Sequence, residues 1–73
     1  MTLSSVKSGQ SCKIIKINNS KSLIKKFNKL GVVEGTKVKV IRKALFNGPI
    51  EILIRSYYLA IRVSDASQIV VEI

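Results

Sequence analysis

Apolar residues alternate with polar ones along most of this chain, and only one segment repeats them at helical spacing. Alternation is the period of a half-buried strand, because successive side chains point to opposite faces of a sheet. Ile50, Ile52 and Ile54 show it most clearly, with Glu51 and Leu53 between them. Five segments have strand-like patterns and are separated by turn residues: 11–17, 37–41, 50–55, 58–62 and 69–73. The sequence therefore predicts a mainly β fold of about five short antiparallel strands.

The helical segment follows the first strand. Its apolar residues lie at i, i+1, i+4 and i+7, and lysines take the opposite face, so we predict one amphipathic helix from Lys21 to about Leu30. Ser20 or Ser22 is the candidate N-cap, and Gly31 stands where a left-handed C′ residue is expected. A second helix of one turn is predicted at residues 64–67, capped by Ser64. The apolar face of the first helix comprises Leu23, Ile24, Phe27 and Leu30.

Turns account for most of the glycines. Gly35 follows Val33 and Glu34 in a turn that needs positive φ, and Asn47, Gly48 and Pro49 form a second turn. With 73 residues the chain is expected to form one domain over residues 1–73, with a single modest core. We expect a small, strongly bent β-barrel, with the helix plugging one open end.

The side chains available for chemistry are few. The chain has no His and one Cys, Cys12, which is expected to be a buried apolar thiol. It has four acidic residues with no close pair, so general acid–base and nucleophilic catalysis lack positioned partners. Gly31 and Gly35 follow a helix, whereas phosphate-binding glycines precede one. We predict no enzyme activity, no small-molecule substrate, no cofactor and no metal site.

The charge is unevenly distributed. Thirteen Lys and Arg residues oppose four acids, giving a formal net charge of +9. Eleven of the 13 lie between Lys7 and Lys43, where Glu34 is the only acid. This half of the chain favours an anionic partner surface. No apolar run approaches the roughly 20 residues that span a bilayer, and the first residues lack a signal-peptide core. A cytoplasmic protein without membrane insertion is the expectation.

Four segments together resemble the FeoA family. They are Gly9-Gln10, Leu30 to Thr36 with Leu23 before it, Gly48 to Ile52, and Leu59 to Arg62 followed by Asp65-Ala66 and Ile69-Val70-Val71. The resemblance covers essentially the whole chain and implies an SH3-like (Src-homology-3-like) barrel. It also implies a cytoplasmic accessory of bacterial ferrous iron transport that acts on the FeoB permease, whose cytosolic part binds GTP. Ser56 stands where many relatives have Gly, which predicts a strained or altered turn.

Two surfaces are candidates for contact with such a partner. The first is the polar helix face, whose lysines would steer the protein toward an acidic surface. The second is the outer side of the sheet, where strand parity places apolar residues within a basic rim, as in a docking site. A bulge near Ile41 would reverse that parity. The candidate residues are Lys21, Lys25, Lys26, Lys29, Lys39, Ile41, Leu53, Arg55, Tyr58, Ala60 and Arg62. An exposed strand edge also allows a monomer or a weak homo-oligomer.

Three alternatives carry less support. The main alternative is a nucleic-acid-binding SH3-like barrel of ribosomal or transcription-factor type, favoured by the charge and by Lys37 to Ile41. Against it, aromatic residues make up only 5% of the chain, and lysines outnumber arginines ten to three. Attachment to anionic lipid through the helix is opposed by the lack of Trp and by the need for its apolar face in the core. The corresponding domain of an iron-dependent repressor would need a DNA-binding domain before it.

Overall fold

A computed structural model describes residues 1–18 and 21–73 of the chain. A 3₁₀ turn at Leu3–Ser5 comes first. The strands are β1 (Ser11–Ile17), β2 (Lys37–Lys43), β3 (Ile50–Ile54), β4 (Tyr57–Ile61) and β5 (Ile69–Glu72), and the helices are α1 (Lys21–Lys29) and α2 (Val63–Ala66). This order of elements confirms the mainly β prediction with one short helix and one further helical turn. The last strand ends at Glu72, one residue before the predicted end.

The five strands form one antiparallel sheet in the order β4-β3-β2-β1-β5. Within the described residues β4 and β5 do not pair with each other, so the sheet is bent but open, and the word barrel applies only loosely. The N-terminal residues extend the β5 side, because Thr2 bridges Val70 and the amide of Val71 donates to the carbonyl of Met1 at 2.9 Å.

Two bulges bend the long strands. The register of β1 with β5 shifts between Ile14 and Lys16, and that of β2 with β3 shifts between Val40 and Arg42. Ile15 and Ile41 are the extra residues. A bulge raises the local twist and bends its strand. The bulge at Ile41 leaves the inward side chains of β2 in place, because Val38 and Val40 before it are both buried.

The core lies between the inner side of the sheet, helix α1 and the N-terminal segment. Phe27 is its largest side chain and is 2% exposed, while Leu23, Ile24 and Leu30 of the same helical face pack against it partly buried. Leu3 and Val6, which the strand pattern did not assign, are fully buried. The strands contribute alternating residues, namely Cys12, Ile14, Ile17, Val38, Val40, Ile50, Ile52, Ile54, Ile61, Ile69 and Val71.

Helix α1 ends in a Schellman motif. The amide of Val32 donates to the carbonyl of Phe27 at 2.9 Å, and the amide of Gly31 donates to the carbonyl of Asn28 at 3.1 Å. Gly31 has a φ of +90°, as predicted for C′. The motif brings Val32 against Phe27, both buried, and so fixes the helix to the core.

The predicted start of α1 at Lys21 is confirmed, but the predicted N-caps have other outcomes. Ser20 lies outside the described residues, and Ser22 is already in the first turn of α1, so it is not the N-cap. Ser64 is wrong as the cap of α2, because the helix starts at Val63 and the extended Arg62 precedes it. Ser67 instead donates its hydroxyl to the carbonyl of Ser64 at 2.7 Å, at the end of the turn.

The β2–β3 connection is a hairpin whose tip lies one or two residues before the predicted turn. The amide of Gly48 donates to the carbonyl of Leu45 at 3.1 Å, and the two central residues, Phe46 and Asn47, have φ of 57° and 60°. Positive φ at both positions is the mark of a type I′ turn. Gly48 is required for a different reason: a Cβ there would lie 2.6 Å from the Cβ of Ala44. Gly35 has the positive φ that was predicted, +87°.

Candidate functional site

A row of three exposed side chains crosses the outer side of the sheet. Leu53 on β3 pairs directly with Lys39 of β2 on one side and with Tyr58 of β4 on the other. Tyr58 is 62% exposed, Leu53 is half-buried, and Lys39 is exposed. Strand parity therefore gave the correct orientation for all three. We call Lys39, Leu53 and Tyr58 the sheet patch.

The next row along the sheet is more polar. Glu51 pairs with Arg42 and with Ala60, and the Nε of Arg42 lies 3.0 Å from a carboxylate oxygen of Glu51. Ala60 is exposed and Ile41, in the bulge, is half-buried. Both candidates thus adjoin the sheet patch, and the ion pair between Arg42 of β2 and Glu51 of β3 bounds it on this side.

The β3–β4 turn lies against the end of helix α1. An added Cβ on Gly31 would lie 3.0 Å from the Tyr57 hydroxyl oxygen and 3.8 Å from the Nε of Arg55. Arg55 therefore places its positive charge near the carbonyl end of the helix, where a cation is favoured. The contact joins the β3–β4 turn to the lysine-bearing helix on the side of the sheet opposite the sheet patch, because Tyr57 pairs with the buried Ile54. Sequence parity had no means to find Tyr57, which is 38% exposed at the strand end.

The four helix lysines separate into two groups. Lys21, Lys25 and Lys29 are exposed and follow one another at i, i+4 and i+8, so they form a single row along the helix. Lys26 points elsewhere: its Nζ lies 3.6 Å from a carboxylate oxygen of Asp65 and 5.5 Å from the centre of the Phe27 ring. We call Lys21, Lys25 and Lys29 the lysine row.

Arg62 is not part of the sheet patch. It follows the far end of β4, four residues from Tyr58, or roughly 13 Å along an extended strand. Its Nε lies 3.9 Å from Asp65, which also holds Lys26. The structure therefore brings Lys39, Leu53 and Tyr58 together with Ile41 nearby. It places Arg55 beside Gly31 at the end of α1, and Arg62 with Lys26 around one carboxylate.

The described residues offer little for metal or thiol chemistry. In residues 1–18 and 21–73, no three His, Cys, Asp or Glu side chains come together as metal ligands would. Cys12 is 3% exposed, and its burial raises the pKa of the thiol. The reactive thiolate is therefore disfavoured. Nor does any helix in the part described combine the length and apolar character needed to cross a bilayer.

These features define a small SH3-like domain, and the candidate sites described above are surfaces for contact with another molecule. The chain matches the family model of the FeoA domain over residues 1–73 and belongs to the FeoA family, which is associated with ferrous iron transport. No curated protein sequence matches it.

Solved structures agree with this assignment. The FeoA protein of Chlorobium tepidum is 32% identical, with a TM-score of 0.92 over 100% of this chain and 70% of that one. FeoA of Stenotrophomonas maltophilia, solved with zinc and described as a prokaryotic SH3 domain protein, is 24% identical, with a TM-score of 0.83 over 99% of this chain and 89% of that one. ScaR, solved with bound Zn²⁺, shares the fold at 17% identity, with a TM-score of 0.89 over 99% of this chain and 36% of that one.

Proposed function

We propose that this protein is a non-catalytic accessory of bacterial ferrous iron transport that docks in the cytoplasm to a FeoB-type permease and regulates it. Membership of the FeoA family supports the transport role. The S. maltophilia relative is described as a candidate activating factor of ferrous iron transport. The observation that carries the docking mechanism is the sheet patch, an exposed apolar and aromatic pair bordered by cations.

The sheet patch has the composition of a protein contact. Tyrosine is enriched in interface hot spots, and Tyr58 presents 62% of its surface beside the half-buried Leu53. Lys39 and the Arg42–Glu51 ion pair border it with charged groups, as in the polar rim of an interface. Inward side chains of the same strands are fully buried, so the patch stands on a rigid support and needs little reordering on binding.

The lysine row supplies long-range attraction. Lys21, Lys25 and Lys29 have no acidic residue at the intervening helical positions, so each i, i+4 step is a like-charge pair that destabilises the helix. A function outside the monomer accounts for this unfavourable choice. Exposed lysines raise the association rate with an acidic partner more than they raise affinity, and salt weakens the effect.

Titration of ¹⁵N-labelled protein with the soluble GTP-binding domain of the cognate permease tests the proposal. We expect saturable amide shifts centred on Leu53 and Tyr58. Leu53→Asp should abolish them, whereas Ile15→Asp, which adds the same charge at an exposed residue of the β1 bulge, should leave them unchanged. Both variants must keep dispersed amide spectra. Equal loss in both variants, or shifts confined to other faces, would reject the sheet patch as the docking site.

Binding to nucleic acid is the alternative, and one observation favours it. Lys13 of β1 lies directly opposite Lys37 of β2, an exposed like-charge pair. Glu72 of β5 lies opposite Lys13 on its other side and offsets one of the two charges. A parallel titration with a short single-stranded oligonucleotide at two salt concentrations distinguishes the two functions. Shifts at Lys13 and Lys37 that fade steeply with salt would assign the protein to nucleic-acid binding.

A further inference from the structure

The hairpin between β2 and β3 exposes two large apolar side chains at its tip. Leu45 is 83% exposed and Phe46 is 98% exposed, the highest values among the large hydrophobic residues of the described chain. Neither contributes to the core. Scattered single apolar residues are normal on a surface, but two adjacent ones that stand clear of the body are not explained by the fold.

The backbone makes this choice more costly. Phe46 is the first central residue of the type I′ turn, with φ of 57°, a position that strongly favours Asn, Asp or Gly. Bulky residues are genuine outliers in the left-handed region. The side chain therefore gains no burial and occupies an unfavourable conformation. Such outliers persist where they serve a function outside the packing of the monomer.

The base of the hairpin is positively charged. Lys43 donates from its Nζ to the carbonyl of Ser4 at 2.8 Å, and Arg42 lies beside it on β2. Arg62 lines a surface cleft together with Asn47, Gly48 and Pro49. The nearby acids are both engaged: Glu51 pairs with Arg42, and Asp65 pairs with Arg62 and Lys26. Three cations, Arg42, Lys43 and Arg62, therefore lie at the base of the hairpin. Glu51 and Asp65 pair with two of them, and Asp65 is shared with Lys26.

We propose that the tip formed by Leu45 and Phe46 inserts into the surface of an anionic lipid bilayer, with the cations at its base facing the headgroups. A bilayer accepts two protruding apolar side chains without a shaped pocket, and basic residues near the surface attract it to anionic lipid. The sequence argument against lipid concerned α1, whose apolar face is in the core. The hairpin is a different surface, and the proposal is independent of the permease.

Vesicle binding of the intact protein tests this directly. We expect the protein to co-sediment with vesicles of equimolar phosphatidylglycerol and phosphatidylcholine, and not with phosphatidylcholine alone. Because the chain has no Trp, Phe46→Trp supplies a single fluorescent reporter. Its emission should shift to the blue on the anionic vesicles and be quenched by brominated lipid. Added salt should reverse the binding.

Phe46→Asn is the decisive variant, because Asn suits a left-handed residue better than Phe does. Phe46→Asn should raise or preserve thermal stability while weakening vesicle partition about tenfold. Leu45→Ser should weaken vesicle partition by a similar factor. Tyr58→Ser, on the sheet patch, is the matched control and should bind vesicles like the parent. Parent-like partition of Phe46→Asn, or equal binding to neutral vesicles, would overturn the proposal. So would a blue shift that occurs without vesicles, at higher protein concentration or on addition of the soluble permease domain. The tip would then bind a protein and not a lipid surface.

Discussion

The hydroxyl oxygen of Tyr57 lies 3.0 Å from the point that a Cβ atom on Gly31 would occupy. Gly31 ends helix α1 with a φ of +90°, and Tyr57 starts strand β4. This close approach connects the last turn of the helix to an edge of the sheet. It lies on the inner side of the sheet, since Tyr57 pairs with the buried Ile54, whereas the sheet patch lies on the outer side.

Gly31→Ala should destabilise the fold by more than Gly9→Ala. Both glycines have a φ of +90°, but nothing lies within 4 Å of an added Cβ at Gly9. The conformational cost of about 1–2 kcal/mol applies to both variants, and only Gly31→Ala must also displace Tyr57. Each kcal/mol lowers Tm by about 4–8 °C in a domain of this size, so calorimetry resolves the difference.

Tyr57→Phe supplies the test of cause for that prediction. Without the hydroxyl, the extra loss from Gly31→Ala should disappear, and the two glycine variants should have equal Tm values. An unchanged difference in the Tyr57→Phe background would mean that another contact of Gly31 is responsible.

Arg55→Asn should be neutral or stabilising, whereas Ser56→Gly should destabilise. The resemblance to relatives with Gly at position 56 predicted a strained or altered turn, and the residue of that turn with positive φ is Arg55, at 56°. Asn tolerates that conformation, which removes strain of about 1 kcal/mol. Gly at position 56 gains no relief there and adds conformational entropy to the unfolded chain, about 0.4–1 kcal/mol. Urea unfolding of both variants measures the sign, and a stabilising Ser56→Gly would contradict this account.

Lys25→Glu should stabilise α1 and weaken partner association. It removes two like-charge i, i+4 pairs from the lysine row and adds two opposite-charge pairs, worth about 0.8–2 kcal/mol in total at low salt. The association rate with the permease domain, measured by stopped flow, should fall at the same time because local positive charge is lost. Lys25→Gln is the control, with about half of each effect. A more stable variant with an unchanged rate would exclude the lysine row from steering.

Cys12 should react slowly with Ellman's reagent in the folded protein and rapidly in urea. Burial raises the pKa of its thiol above the usual value of 9.0, so the folded state keeps the proton that the unfolded state loses. The stabilisation from this difference is complete below pH 9.0 and declines as pH rises through the higher folded pKa. Cys12→Ala should remove that alkaline decline. Native labelling as fast as labelling in urea would show that the thiol is accessible.

The order of elements along the chain, the extent of α1 and the core face followed from the sequence because apolar periodicity records burial directly. Ile50, Ile52 and Ile54 alternate and are all buried, and Leu53 lies outward as parity requires. The left-handed end of α1 was predictable for a similar reason, since Gly31 is the local solution to a helix stop. These local patterns correctly predicted the elements although the sheet is open and is not a closed barrel.

Other features depend on contacts between distant residues, which no local pattern encodes. Lys26 belongs to the helical polar face by periodicity, but its ion pair with Asp65 depends on where α2 packs. Tyr57 meets Gly31 only after the β3–β4 turn has folded against α1. The role of Phe46 was not predicted, because Asn47 and Gly48 are typical turn residues and placed the predicted turn too late in the chain. The adjacent apolar residues Leu45 and Phe46, just before that turn, were a usable signal.

The bulge at Ile41 separates the bend of β2 from the pairing of β2 with β3, two properties that usually change together in a small fold. It adds a residue to β2 without adding a pairing to β3, so the buried partners Val40 and Ile52 are set independently of the strand's bend. We expect a chain lacking Ile41 to retain those pairings and the core. With less twist in β2, the tip of the hairpin would move away from Arg62 and α2. The direction in which the exposed tip points thus depends on a single residue, while the core pairings stay the same.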